Sequence, residues 1–428
     1  MNGTDFDRTL MAWLNEAAPR RAPEGLAEAV ASDVRGRRSK GGVLALLTER
    51  PMRSSGRVVL GSPGVRAVYV AGLLILVLSL AVGAIAVGAR LLPSRPLPSP
   101  FGPAANGLVA FDTHAAIFVA NADGSGVRPI VSLPGASSPT FSPDGTRLAF
   151  YSEPPEEAPT TVYVANADGS NPIVVASNLW ISTDKRPSWS PDSRQFVVSA
   201  ESGPNRNDER LFIISADGSG IFPLGEDHPT DPLRRLWPSW SPDGAWIAFQ
   251  GIASSLSPDE SRLYLIRADG RDEHKLLISA RFLGSPASWQ PIPTHSKLAF
   301  SAGLSAMTQD VLVYDPDTDR AVQISRDARN EGGPAWSPDG QRIAWWVAES
   351  ESTGSIRIAN KDGIGAQATL LANGINGRPA WSPDGTKIYS SNFERTSLIV
   401  ITLDGSEPPI VVPHAEGQGM PTWQRIAP

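Results

Sequence analysis

"GPAWSPDGQRIAW", residues 333–345, holds the reading that decides the fold. Pro and a large aromatic end one short segment. Ser-Pro-Asp-Gly follows, and then the apolar run Ile343-Ala344-Trp345. Pro presets φ at the second position of a turn, Asp bonds its own backbone, and Gly accepts a positive φ. The stretch therefore predicts two β-strands joined by a tight turn.

The same grammar recurs. Heads with an aromatic stand at Phe141, Trp189, Trp240, Trp289, Trp336, Trp381 and Trp423, spaced by 48, 51, 49, 47, 45 and 42 residues. That period is too long for helical repeats of about 34 residues and suits a four-stranded propeller blade. After each turn comes a strand such as "RLAF" (147–150) or "WIAF" (246–249). A variable loop leads to a second strand, such as "TVYVAN" (161–166). An Asp-Gly turn follows at 123–124, 168–169, 217–218, 269–270, 362–363 and 404–405, a strong hairpin signal between apolar strands. A last strand completes the unit, giving the order A (the aromatic strand), B, C, D. Two heads depart from the pattern: Ser193 replaces the turn glycine, and "WQPIPTH" (289–295) lacks Ser-Pro-Asp-Gly.

"NGLVAF" (106–111), "AIFVAN" (116–121) and "VRPIVS" (127–132) read as B, C and D with no head before them, whereas "PTW" (421–423) is a head with no body. An open edge strand is a liability. The C-terminal strand is therefore expected to complete the first blade. The expected fold is all-β, a seven-bladed β-propeller over 106–428 closed three-plus-one, preceded by a short helical segment and one transmembrane helix.

P-x-W-S-P-D-G-x-x-I-A-F with a later D-G resembles the WD-like repeats of TolB-type propellers. The resemblance covers about 106–428 and implies a β-propeller without implying one function, because this architecture hosts many.

Ahead of the repeats, Ala67 to Ala89 is 23 residues without a charge, about 35 Å as a helix against a hydrocarbon core of about 30 Å. Lys40, Arg50, Arg53, Arg57 and Arg66 precede it, and only Arg90 and Arg95 closely follow. The positive-inside rule then puts the N-terminus in the cytoplasm and the propeller outside a bacterial plasma membrane. Two amphipathic stripes, Phe6/Leu10/Leu14 and Leu26/Val30/Val34, predict a helical cytoplasmic segment over 1–40. A basic linker (41–66) follows, and a Pro-rich stalk (90–105) comes after the span. In outline the arm resembles those of anti-sigma-type membrane proteins, which would make a sigma-factor-like regulator its partner. The zinc motif of many such arms is missing, since the chain has no Cys. Residues 67–428 hold 27 Lys+Arg against 37 Asp+Glu, an acidic balance that argues against nucleic acid as a partner.

The Ser-Pro-Asp-Gly aspartates read as turn scaffolding. "DPDTD" (315–319) resembles the start of a calcium loop, yet it sits where other blades carry a hairpin tip. No G-x-S-x-G occurs, so no nucleophile elbow is visible. No cofactor or metal is expected. Strand alternation places the variable B–C and D–A loops on one face. Arg186, Trp237, Glu331 and Arg378 stand just before A strands there, with Trp180, Arg234 and Arg235 nearby. A mixed polar rim with aromatics suits a protein or envelope-glycan partner. The expected function is non-enzymatic ligand binding, with possible signalling through the arm. The competing readings are a propeller enzyme (hydrolase, lactonase-like or cyclase-like) at the channel mouth and a structural subunit of an envelope complex.

Overall fold

The computed structural model describes residues 99–427, apart from 114–115, 154–157, 182–184, 202–208, 226–232, 254–260, 277–280, 283–284, 304–307, 326–328, 351–352, 364–367, 371–376, 392–396 and 413–420. Seven antiparallel sheets follow one another along the chain as seven propeller blades. Blade 2 shows the standard path: Ala136–Phe141 (A), Arg147–Ser152 (B), Thr160–Asn166 (C) and Ile173–Leu179 (D). In the first sheet Thr422–Ile426 pairs with Ala105–Asp112, which continues to Ile117–Ala120 and Arg128–Val131.

Two expectations need correction. Closure is not a property of any sheet: no sheet closes or curls on itself, and each is open at its edges. The helices expected ahead of the propeller are not part of the described fold, whose elements are all strands. No helix among the described residues is long and apolar enough to cross a membrane. The helical segment (1–40), linker (41–66), span (67–89) and the stalk up to residue 98 lie outside the described residues.

The turns form for local reasons. In Ser142-Pro143-Asp144-Gly145 the Ser142 hydroxyl donates to Asp144 Oδ1 (2.5 Å) and accepts from the Arg147 amide (3.0 Å), while Gly145 N–H bonds the Ser142 carbonyl (2.8 Å). Gly145 has φ +70°, and a Cβ there would stand 1.8 Å from the carbonyl oxygen of Arg425 in the C-terminal strand. In blade 3 Ser193 takes the same left-handed place at φ 59°.

The apolar core sits between sheets. Each hydrophobic cluster draws on two neighbouring blades; Val109 and Phe111 of blade 1 pack with Tyr389 and Leu398 of blade 7 around Trp423. The inner strands are linked in two ways. In blades 3, 5, 7 and 1 the indole N–H crosses to a carbonyl of the preceding A strand. These bonds run Trp189 to Thr140 (3.1 Å), Trp289 to Ser239 (3.0 Å), Trp381 to Ala335 (3.0 Å) and Trp423 to Ala380 (3.2 Å). In blades 2, 4 and 6 the aromatic's backbone N–H crosses instead to a hydroxyl, from Phe141 to Thr422, Trp240 to Ser188 and Trp336 to Ser288. The strands alternate likewise. Blades 2, 4 and 6 have long, bulged A strands: Ala136–Phe141, Leu233–Trp240 and Glu331–Trp336. Blades 3 and 7 have two-residue A strands, Ser188–Trp189 and Ala380–Trp381. In blade 5 the A side is split, with Arg281–Phe282 and Ser288–Trp289 both pairing to Leu298–Gly303.

Two outcomes are expected. Trp423→Ala removes a buried indole at the junction of blades 7 and 1 and should cost about 3–5 kcal/mol. Deleting 414–428 bares Ala105–Asp112 and should lower the melting temperature further, with aggregation. Calorimetry of the full-length chain checks both, and wild-type stability in the deletion would refute the role given to this strand. For Asp384, burial pushes the carboxyl up, but hydrogen bonds from Ser382, Thr386 and Asn106 outweigh it and hold it below the ordinary 3.8. A depressed folded pKa gives stability that is present above the unfolded value and lost as pH falls through the folded one. Asp384→Asn should therefore flatten the acid limb of the melting temperature between about pH 5 and 2.

Candidate functional site

The A strands carry a Pro shortly before their aromatic, and the residue ahead of that Pro lines one end of the channel. In the bulged blades this residue is left-handed: Ser138 (φ 54°), Trp237 (φ 55°) and Gly333 (φ 60°). A bulge re-aims side chains, and Gly adopts this backbone freely. A bulky residue such as Trp237 is strained there, and such strain collects at functional sites. In blades 3 and 7 the equivalent residues are Arg186 and Arg378.

Arg378 and Trp237 meet. The guanidinium carbon lies 5.4 Å from the indole ring centre, a cation–π contact. Arg378 belongs to blade 7 and Trp237 to blade 4, so the contact spans the channel. On the way Arg378 runs over Gly333, where a Cβ would stand 2.3 Å from Arg378 Cγ. Arg378 also lines a cavity of about 350 Å³, together with Trp240, Trp289, Pro286, Pro334 and Phe101. Phe101 enters from the Ser-Pro-Asp-Gly end. Its segment is held there by Arg425 Nη2, which donates to the carbonyls of Ser99 (3.0 Å) and Gly102 (2.5 Å), and by Ala104 N–H to the Pro383 carbonyl (2.9 Å).

The other expected rim residues are placed differently. Burial pushes the Arg186 guanidinium down to about 10, while Asp112 of blade 1 and Tyr151 of blade 2 pull it back up. Burial raises the Tyr151 phenol well above its ordinary value. Neither Tyr151 Oη nor Arg186 Nη2 has a hydrogen-bond partner. Arg234 donates to Glu209 (2.7 Å), which also pairs with Lys185. Arg235 is buried and bidentate on Glu273, at 3.1 and 3.0 Å. Glu331 is fully buried and accepts from Arg357 (3.3 Å). Trp180 is half-buried and bridges to Glu201 at the edge of blade 3. Of the seven residues, the structure brings Trp237 and Arg378 into contact and sets Arg234, Arg235 and Glu331 in ion pairs.

Sequence reasoning missed Glu209, Glu273, Arg357 and Tyr151. Glu209 left a signal: it stands in phase with the inward residues Leu211 and Ile213 of its strand, a charge where the alternation demands an apolar group.

Elsewhere the "DPDTD" stretch is satisfied as a hairpin tip. Asp315 accepts from the Asp317 amide (3.0 Å) and from Lys297 (3.2 Å), and Asp319 accepts from the Tyr314 hydroxyl (2.9 Å). Among the described residues no group of three or more His, Asp or Glu is placed to hold a metal ion.

No family model matches the chain. Among sequence relatives, the uncharacterized protein Atu1656 of Agrobacterium fabrum is 28% identical over 228 residues, 48% of this chain and 67% of that protein. The uncharacterized peptidase YuxL of Bacillus subtilis is 24% identical over 239 residues, 52% of this chain and 31% of that protein. The chain thus spans under a third of the peptidase it matches. Among solved structures, a puromycin hydrolase superposes with a TM-score of 0.52 at 15% identity, covering 74% of this chain and 54% of the other. TolB from Acinetobacter baumannii superposes with a TM-score of 0.48 at 15% identity, covering 76% and 81%. The first of these structural likenesses establishes a shared propeller fold.

The two kinds of mouth residue should respond oppositely to substitution. Arg357→Met strips a cation from the buried Glu331 and should cost about 3–5 kcal/mol. Trp237→Gly relieves a left-handed backbone and should stay within about 1 kcal/mol of wild type despite losing the indole. Denaturant unfolding of both variants checks this, and an inverted order would refute it.

Proposed function

We propose that this propeller is a binding module that receives a protein or envelope-glycan ligand on the face of the B–C and D–A loops, centred on the channel mouth. The observation that carries this reading is the Arg378–Trp237 contact across the channel, made by a Trp held in a strained backbone. The left-handed position recurs in the bulged blades at Ser138 and Gly333, but at Trp237 it presents an aromatic face beside a cation, which suits recognition. The opposite end is built from Ser-Pro-Asp-Gly turns whose Asp and Ser groups bond within the turn. Extracytoplasmic placement, expected from the basic flank at 40–66, belongs to this proposal, as does a cytoplasmic partner for residues 1–66.

An enzyme at the same mouth is the second reading, favoured by a specific observation: sequence relatives with names that state a peptidase activity include YuxL of Bacillus subtilis and dipeptidyl-peptidase 5 of Trichophyton schoenleinii. The names of such relatives speak for this reading more directly than for the first. The buried Tyr151 and Asp112 and the half-buried Arg186, of blades 1 to 3, are the groups that chemistry would draw on.

A photo-crosslinking residue placed at Arg186 or Arg234 in the full-length chain should trap one and the same partner in cells. The same residue at Asp243, on the turn end, should trap none. Equal trapping at both ends would refute a mouth-centred site. Incubation of the full-length chain with a peptide mixture separates the two readings. New peptide termini that vanish in Tyr151→Phe would replace the binding module with the enzyme.

A further inference from the structure

We propose that the junction of blades 2 and 3 is a subsite for an uncharged amide of the ligand, with Tyr151 and Arg186 donating to its carbonyl oxygen. This inference deepens the binding reading above and rests on it.

One B-strand position ties blades together where it holds Ser. It stands three residues after the partner of the A-strand aromatic. In blade 3 it is Ser199, whose hydroxyl donates to the Arg235 carbonyl of blade 4 (2.7 Å). In blade 5 it is Ser301, whose hydroxyl accepts from the Gly333 amide of blade 6 (3.0 Å). In blade 2 the position holds Tyr151.

Tyr151 is fully buried. It belongs to the apolar cluster between blades 2 and 3 with Ile181 and Trp189, which flank Arg186 in sequence. Its hydroxyl is sealed from solvent and has no hydrogen-bond partner, and the same holds for Arg186 Nη2. A buried donor in that state has given up its bond with water and gained none in return. Where Ser199 and Ser301 complete a bond across their junctions, blades 2 and 3 present two donors that complete none.

A carbonyl oxygen suits them both. It carries two lone pairs, takes an N–H and an O–H together, and brings no hydrogen of its own to that spot. Charge favours an uncharged one. Asp112, at the same strand position in blade 1, already offsets the Arg186 guanidinium. A carboxylate ligand would set a second anion beside Asp112 in a place short of water, and like charges there repel.

The approach is from the channel. Arg186 stands just before Pro187 at the channel end and is half-buried. Its side chain must turn for a ligand to enter, and no hydrogen bond at Nη2 is lost when it does.

An amide is offered by a peptide backbone and by an N-acetyl sugar. Acetyl-trialanine amide and tri-N-acetylchitotriose are therefore titrated calorimetrically into the full-length chain, with glutarate as the anion. At least one amide should bind about tenfold more tightly than glutarate. Tighter binding of the peptide points to a polypeptide ligand, and tighter binding of the sugar to an N-acetylated glycan. Tyr151→Phe should weaken the better amide about five- to tenfold, and Arg186→Met about tenfold or more, as one neutral and one charge-assisted bond are lost. Tyr151→Phe removes a hydroxyl that bonds nothing in the fold, so its melting temperature should stay at the wild-type value or rise. That second readout separates a binding role from a structural one. If Arg186→Met fails to fold, the Tyr151→Phe result carries the test. Unchanged amide affinity in Tyr151→Phe overturns the inference, as does glutarate binding more tightly than both amides. So does no binding of any probe up to roughly 10 mM, far weaker than the affinities of ordinary sites, while a crosslinker at Arg234 still traps its partner. Loss of that trapping as well would sink the binding reading itself.

Discussion

The indole N–H of Trp423, donated across a blade boundary to the Ala380 carbonyl, is the contact on which the rest of the propeller depends. It belongs to a strand that pairs with Ala105–Asp112 at the other end of the described chain, some three hundred residues away. Around it Tyr389 packs edge-on at 4.7 Å, and Gln424 reaches the Gly145 carbonyl of blade 2 at 2.8 Å. Asn106 and Asp384 bond each other reciprocally, at 2.7 and 3.1 Å. Every other junction joins blades that follow one another directly in sequence. This one must close a loop of hundreds of residues, and loop-closure entropy opposes it before any contact repays it. The density of specific bonds at the junction is the physical answer to that cost.

An odd number of blades leaves a mark on this junction. Blades with a crossing indole alternate with blades whose backbone N–H crosses to a hydroxyl, and seven cannot alternate around a circuit. Blades 7 and 1 are therefore both of the indole type. The alternation also sorts the channel residues. Bulged inner strands turn the residue before Pro into the left-handed region, at Ser138, Trp237 and Gly333. Blades 3 and 7, with two-residue inner strands, carry Arg186 and Arg378 there. The cross-channel pair thus joins one residue of each kind.

Most of the blade architecture was legible because turn chemistry is local. Ser-Pro-Asp-Gly and Asp-Gly name their own conformations, and an alternating apolar strand names its buried face. Even the departures were readable: Ser193 occupies the turn glycine's place at positive φ, and "WQPIPTH" still ends an A side, though a split one. The mouth was half legible. Position before a Pro placed Arg186, Trp237 and Arg378 at the channel end, since that depends only on register. Which charges pair depends on contacts between blades, and no local rule carries that. Arg235 looked like a rim cation and is clamped on Glu273. Glu331 looked like a rim anion and is sealed under Arg357. The helices expected over residues 1–89 fall outside the described residues.

Those ion pairs explain why so few residues remain to do the recognising. Charges buried between blades are costly to desolvate and are retained where a partner and further bonds hold them. Glu209 with Lys185 and Arg234, Glu273 with Arg235, and Glu331 with Arg357 fix the loop-bearing end as a rigid frame. Across that frame Arg378 of blade 7 meets the Trp237 ring of blade 4. Arg378 is long, passes over a glycine, and ends on an indole whose own backbone is under strain. Phe101 lines the same cavity as Arg378, on a segment that Arg425 of the C-terminal strand holds through the Ser99 and Gly102 carbonyls.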